Sequence, residues 1–167
     1  MLRPVRKEDA RYADDFFQWL SEETKYMRFM YPVKALTPEI LAGVLTQDGL
    51  RRVALVAEPV APDSGDPTPA VAIGRYTPTD DPEACEVAIT VGDSWQGRGV
   101  GRALLARLIL LATRGGYQVM CATALTTNNK MIALARAFDF EIHSQPGGIT
   151  AMRLQLDSGT ATRKARS

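Results

Sequence analysis

The 167-residue sequence predicts an α/β fold, a mixed sheet with helices packed on it. Three observations carry this reading. Segments change in kind along the chain in the order strand, helices, three strands, helix, strand, helix, two strands. Apolar residues make up 46% and charged residues 23%, ordinary globular usage in a chain long enough to bury one core. Neither an internal repeat nor an apolar run near the roughly 20 residues of a membrane helix interrupts the pattern. One domain is expected over residues 1–157, followed by a polar, basic, disordered tail over 158–167.

Leu2 to Val5 reads as a short strand. From Asp9 to Leu20 the apolar Tyr12, Phe16, Trp19 and Leu20 recur at helical spacing between Asp14, Asp15 and Gln18. Lys25 to Met30 reads as a further helical turn closed before Pro32. Thr37-Pro38-Glu39 opens a third helix, with Thr37 as N-cap and Pro38 at the first helical position, ending near Asp48-Gly49. Strands follow over 52–57 and 70–76, separated by a hairpin loop over 58–69 that holds four prolines. After a turn over 77–82, Cys85 to Val91 is an apolar, β-branched strand. A helix over 100–114 stops at Gly115-Gly116. A strand over 119–125, a helix over 128–138 and closing strands at Ile142 and over 149–156, turned by Pro146-Gly147-Gly148, complete the order.

Net charge is +1, unevenly spread: residues 1–95 carry 10 Lys/Arg against 16 Asp/Glu, and residues 96–167 carry 10 against 3. A basic half suits a polyanionic ligand and an acidic half a cationic one. Met1 to Arg6 lacks the apolar core of a secretion signal, and Cys85 and Cys121 sit in strand-like apolar runs. A cytoplasmic protein with reduced, buried thiols is therefore expected. One histidine, His143, and two cysteines supply no convincing metal site.

The segment Gln96-Gly97-Arg98-Gly99-Val100-Gly101 stands between an apolar strand and a long helix. Glycines let the backbone take φ > 0 and approach a ligand closely. Amides at a helix start have no intrahelical acceptor and lie at the positive end of the dipole, so together they make an anion site. Arg98 and Arg102 add charge there. The segment lacks the Gly-Lys-Ser/Thr of a phosphate-binding P-loop, and its G-x-G-x-G spacing is not the dinucleotide fingerprint.

These residues resemble the pyrophosphate motif of the GNAT N-acetyltransferases, Gln/Arg-x-x-Gly-x-Gly/Ala, with Val91 five positions ahead as the last strand residue. Asn128, Met131 and Phe140 resemble that family's second motif. The opening segment Leu2 to Ala10, with Phe16-Phe17, Leu20-Ser21 and Arg28-Phe29, is similar to the GNAT domain of bacterial protein-lysine acetyltransferases. The resemblance spans residues 2–156. It implies a mostly antiparallel sheet of about six to seven strands with about four helices, acetyl-CoA as cosubstrate, no metal, and a primary amine as acceptor, with a protein lysine expected. No nucleic-acid or membrane partner is implied, and the state is monomer or homodimer. A small-molecule acceptor, or a non-catalytic acyl-CoA-binding module, are the alternatives.

The resemblance implies a set of site residues. The strand splays from its neighbour at Val91, whose freed N–H serves as oxyanion donor. The gap admits the pantetheine arm, which pairs with the backbone at Ile89 and Val91, with Thr90 also among the cofactor-binding residues. Gln96, Gly97, Arg98, Gly99, Val100, Gly101 and Arg102 hold the pyrophosphate, and Asn128 orients the cosubstrate. Glu86 stands where the lysine acetyltransferases carry their catalytic glutamate, with Glu83 as the fallback. A lysine amine of pKa about 10.4 is neutral in only about 0.04% of molecules at pH 7, a deficit of about 4.6 kcal/mol, so a base must take its proton. Flanked by Cys85 and Val87, Glu86 is expected to be buried, which disfavours the charged form and suits a base. Two positions depart from the family pattern. Asp139 replaces a glycine and must take a left-handed conformation. Ala135 replaces the tyrosine that serves as general acid, leaving the thiolate's proton donor unnamed. The acids Glu8, Asp9, Asp14, Asp15, Glu22 and Glu23 are expected to draw a cationic acceptor.

Overall fold

The computed structural model describes residues 1–59 and 70–156, so most of the expected hairpin loop and the whole of the expected basic tail lie outside the described residues. Twelve regular elements occur among them: β1 (Leu2–Pro4), α1 (Ala10–Gln18), α2 (Glu22–Phe29), α3 (Pro38–Leu45), β2 (Val53–Ala57), β3 (Ala72–Pro78), β4 (Ala84–Val91), α4 (Val100–Arg114), β5 (Val119–Leu125), α5 (Asn129–Arg136), β6 (Glu141–Gln145) and β7 (Ile149–Gln155). The strands form one sheet in the order β1-β2-β3-β4-β5-β7-β6. Every neighbouring pair is antiparallel except β4 and β5, which are parallel and joined by the α4 crossover. This is the mixed, mostly antiparallel sheet the sequence predicts, with seven strands and five α-helices.

Local chemistry explains where the boundaries moved. Helix α2 begins three residues earlier than expected because Ser21 caps it, its Oγ accepting from the Thr24 N–H at 3.1 Å. Helix α3 starts as read, capped by Thr37, but stops at Leu45. Gln47 then bridges two strands, donating to the Val5 carbonyl and accepting from the Ala54 N–H, and Asp48 Oδ1 gathers the amides of Leu50, Arg51 and Arg52 into a turn. Asp139 takes φ 63°, the left-handed conformation required where the family has glycine.

Two apolar layers flank the sheet. On one face α4 places Leu104, Leu105 and Leu108 against Ala72 and Tyr76 of β3 and Cys85 and Val87 of β4. On the other, α1 and α3 cover Ala54, Val56 and Ile73 with Phe16, Phe17, Val44 and Ile40. Strand β2 is accordingly buried at all five positions. Cys85 is buried and Cys121 partly so, both free thiols; burial, with Cys121 nearby, pushes the Cys85 thiol up to about 12, so it is inert at neutral pH. No helix among the described residues is long and apolar enough to cross a membrane.

The N-terminus is held by an ion cluster. The Arg3 guanidinium makes paired hydrogen bonds to Asp9, both 2.8 Å, and reaches Glu58 at 2.6 Å. The bond from Arg3 holds the Asp9 carboxyl below its ordinary value, against the opposing effect of burial. Asp9 is therefore charged in the folded chain at pH values where the unfolded chain protonates it. Its stabilisation is present above about pH 4 and is lost as pH falls through the lower folded value.

Two outcomes are expected. Leu108→Ala, which empties a fully buried position under the sheet, should destabilise the chain by about 2–5 kcal/mol in urea unfolding at constant m-value. Melting temperature should drop as pH is lowered below about 4, and Arg3→Met should flatten that dependence while lowering the plateau above it.

Candidate active site and cosubstrate cleft

Parallel pairing between β4 and β5 runs through only three registers, Ala84↔Val119, Cys85↔Met120 and Glu86↔Cys121, although both strands continue to Val91 and Leu125. Beyond Glu86 the strands part. Backbone groups on a strand alternate sides. The Gly92 N–H donates to Val71 on the β3 side at 2.8 Å, whereas the Val91 carbonyl accepts from Gln96 Nε2 at 3.1 Å on the other. The backbone edges of Ile89 and Val91 thus face a seam in which no strand is paired with them. This is the gap expected at Val91.

The seam leads to the glycine segment. Gly97 and Gly99 take φ 71° and 80°, and Gly99 is the N-cap of α4. The first i→i−4 bond of the helix is from the Ala103 N–H to the Gly99 carbonyl, so the amides of Val100, Gly101 and Arg102 precede the helical ladder. Arg98 lies over the Trp95 ring at 5.3 Å and Arg102 over Phe138 at 5.2 Å, both side chains exposed beside those amides. Left-handed glycines, orphan amides and two guanidiniums fit a pyrophosphate.

The Gln96 side chain is engaged within the protein. Its amide nitrogen donates to the Val91 carbonyl and to Thr24 Oγ1, each at 3.1 Å, and its carbonyl accepts from Lys130 Nζ at 2.6 Å. Next to it the Asp93 carboxylate accepts from the Ser21 N–H, the Ser21 hydroxyl and the Thr24 hydroxyl at 2.6–2.8 Å. Burial pushes the Asp93 carboxyl up, but these donors outweigh it and hold it below its ordinary value. The start of α2, the end of β4 and the start of α5 are thereby tied to the loop that opens α4. Thr24, Asp93 and Lys130 were not legible as site residues, since their partners lie 34 to 72 positions away.

On the face opposite α4, a cavity of about 60 Å³ opens between α1, α2 and α3 and strands β3 and β4. Thr90 lines it, so its side chain faces this cavity while its neighbours' backbone edges face the seam. Glu86 shares that face at the cavity's end, two residues along β4 from Ala88 and opposite Thr77. The expectation that Glu86 is buried is corrected: it is exposed. Alternation buries Cys85 and Val87 under α4 and turns Glu86 the other way, where the cavity's lining reaches only Ala88.

Other expectations resolve as follows. Asn128 caps α5, its Oδ1 accepting from the Met131 N–H at 3.1 Å, which leaves its amide N–H₂ to donate. Ala135 is fully buried in the main core and offers no donor. Glu83 accepts from Gln118 at the far end of β5 and does not reach the cleft. His143 is on the edge strand β6, 3.7 Å from Glu141. Of the acids expected to draw a cation, Asp9 is held by Arg3, and Glu22 by Lys25 at 2.9 Å. The charged residues that line the cavity are instead Arg28 and Arg75. An arginine alternating with apolar residues in β3 was the signal available for Arg75.

Comparison with known proteins agrees with this geometry. An acetyltransferase of Pseudomonas aeruginosa is 30% identical over 150 residues, covering 90% of this chain and 79% of that one. The GNAT domain of S. lividans PAT superposes with a TM-score of 0.81 at 29% identity, over 93% of this chain and 89% of that one. The YncA acetyltransferase of Salmonella typhimurium, solved with acetyl-CoA, shares the fold at TM-score 0.74 and 24% identity, over 95% and 94%. The model of the acetyltransferase (GNAT) domain matches residues 1–141, and the chain belongs to that family.

Proposed function

We propose that the chain transfers the acetyl group of acetyl-CoA to a primary amine by direct attack, with Glu86 as general base. The observation that carries this is the parting of β4 and β5 between the glycine segment and the cavity, since it joins an anion site to an acceptor site through the sheet. Acetyl-CoA brings an already activated thioester. The amides of Val100, Gly101 and Arg102, with Arg98 and Arg102, hold its pyrophosphate. The backbone edges of Ile89 and Val91 pair with its pantetheine arm, and the Val91 N–H faces the carbonyl oxygen as charge develops there. Asn128 orients it through the amide that its capping role leaves available.

Glu86 accepts the amine's proton from the cavity's end. As the new C–N bond forms the thioester C–S bond breaks, and CoA leaves as the thiolate, which takes its proton from water because Ala135 offers none. The exposure of Glu86 supports onward proton transfer to solvent directly. The likeness of the opening segment to bacterial protein-lysine acetyltransferases supports a lysine side chain as acceptor. The cationic lining of the cavity favours a second acceptor class, a small amine that carries its own negative charge.

Acetyl-CoA at 100-fold excess over Kd should stabilise the fold by about 2.7 kcal/mol, read as a thermal shift. NAD and ATP should give none; equal shifts from all three would refute the cosubstrate assignment. Gly99→Asp should abolish the shift, because it sets a charge against the pyrophosphate at a position held at φ 80°. Glu86→Gln should keep the shift and slow acetyl transfer by roughly 10²–10⁴-fold at pH 7. The deficit should shrink toward pH 10, where the amine loses its proton unaided. An equal deficit at both pH values would remove Glu86 from the role of base.

A further inference from the structure

The acceptor cavity has an unusual charge arrangement. Its walls are apolar, built from Phe16, Phe29, Leu36 and Ile40 among others, and its charged lining residues are Arg28 from α2 and Arg75 from β3. Among the described residues neither guanidinium has a carboxylate within ion-pair distance. Arg28 lies 5.0 Å over the Phe29 ring, and Arg75 lies against the backbone of Gly43 in α3, where an added Cβ would stand 2.3 Å from Nη1. No buried side-chain nitrogen among the described residues lacks a partner, so the unpaired N–H groups of both arginines are not sealed inside the protein, and both side chains line the cavity. Arg3 provides the contrast: its fork is filled by Asp9 and Glu58.

We propose that Arg28 and Arg75 form a carboxylate-binding subsite, and that the acceptor is a small free amino carboxylate with an apolar side chain. The inference rests on the reading above that the acceptor amine meets Glu86 at this cavity. Arg75 pairs with Ala88, so Arg75 and Glu86 are diagonal neighbours on one face of adjacent strands, about 7–8 Å apart and somewhat less at Cβ. A molecule with an amine and a carboxylate close together spans that step, with its carboxylate on the guanidiniums and its amine at Glu86. Its apolar side chain meets the aromatic and aliphatic walls. Arg28, Arg75 and Glu86 together carry a formal +1. The carboxylate of a zwitterionic amino acid offsets the charge of its own ammonium, so the molecule adds no net charge, whereas the side chain of a protein lysine adds a full like charge. The electrostatics of the arginines agree. Burial first, and the neighbouring Arg75 second, push Arg28 down to about 10, with Glu86 and Tyr31 opposing. Burial likewise lowers Arg75, with Arg52 adding to it and Glu86 opposing.

The test compares L-amino acids with the corresponding L-amino acid amides, which match in size and lack the carboxylate. In thermal-shift titrations with CoA present, amino acids with apolar side chains should raise the melting temperature and their amides should not. In turnover, kcat/KM should favour the acid over its amide by roughly 10- to 100-fold, the worth of a charge-assisted hydrogen bond. Arg75→Met and Arg28→Met should collapse that preference while acetyl-CoA still shifts the melting temperature. Gly43→Ala keeps every charge and raises helix propensity, and displaces only the tip of a flexible side chain. It should fold at least as well as the native chain and lose the same preference. No shift from any amino acid, equal use of acids and amides, or variants that retain the preference would each overturn the subsite. Absence of acetyl transfer to every amine would instead overturn the catalytic reading, and the binding titration would still decide the subsite.

Discussion

The early end of the β4–β5 ladder is the constraint on which this molecule depends. A parallel pair normally continues as far as both strands run, because each further register adds hydrogen bonds. Here pairing stops at Glu86↔Cys121, while β4 runs on for five residues and β5 for four. Such an opening exposes backbone groups that must find other partners. The Val91 carbonyl finds the Gln96 side chain, and Asp93 ties the start of α2 across the end of β4. The seam is therefore a braced feature, with hydrogen bonds from three helices or their approaches converging on its rim.

That bracing also fixes how the two faces of the sheet communicate. The two faces of the sheet have different duties. One is closed by α4, whose leucines fill the space under β3 and β4 and whose first turn presents its unpaired amides. The other carries the shorter helices α1, α2 and α3, which leave a cavity over Ile73, Arg75, Ala88 and Thr90. The opening between β4 and β5 is the passage through the sheet between the glycine segment on the α4 side and the cavity on the other. Because Thr24 of α2 is hydrogen-bonded to both Asp93 and Gln96, the helix that walls the cavity and the glycine loop are one hydrogen-bonded unit.

The sequence by itself determined the order of the elements and the anion loop. Periodicity of two and of 3.6, the capping residue Thr37, and the stop at Gly115-Gly116 are local signals, and helix α4 and strand β5 begin and end at the residues read for them. Gly97 and Gly99 were legible because a positive φ is a property of one residue. The same holds for Asp139, whose left-handed turn follows from the short polar side chain that tolerates it. What only the tertiary structure decided is what depends on which residues meet. Glu86 looked buried because its chain neighbours are apolar, but a strand presents its residues to opposite faces, and the covering of each face is set by helices far away in sequence. Nothing local in the sequence shows that the Gln96 side chain bonds Thr24 and Lys130, which come to it from 72 and 34 positions away. Of the acids of the first helices, Asp9 and Glu22 are paired with Arg3 and Lys25, Glu8, Asp14, Asp15 and Glu23 are exposed, and the charged residues lining the cavity are arginines. Charge counted along a chain carries no direction; packing assigns each charge to a partner, to solvent or to a cavity.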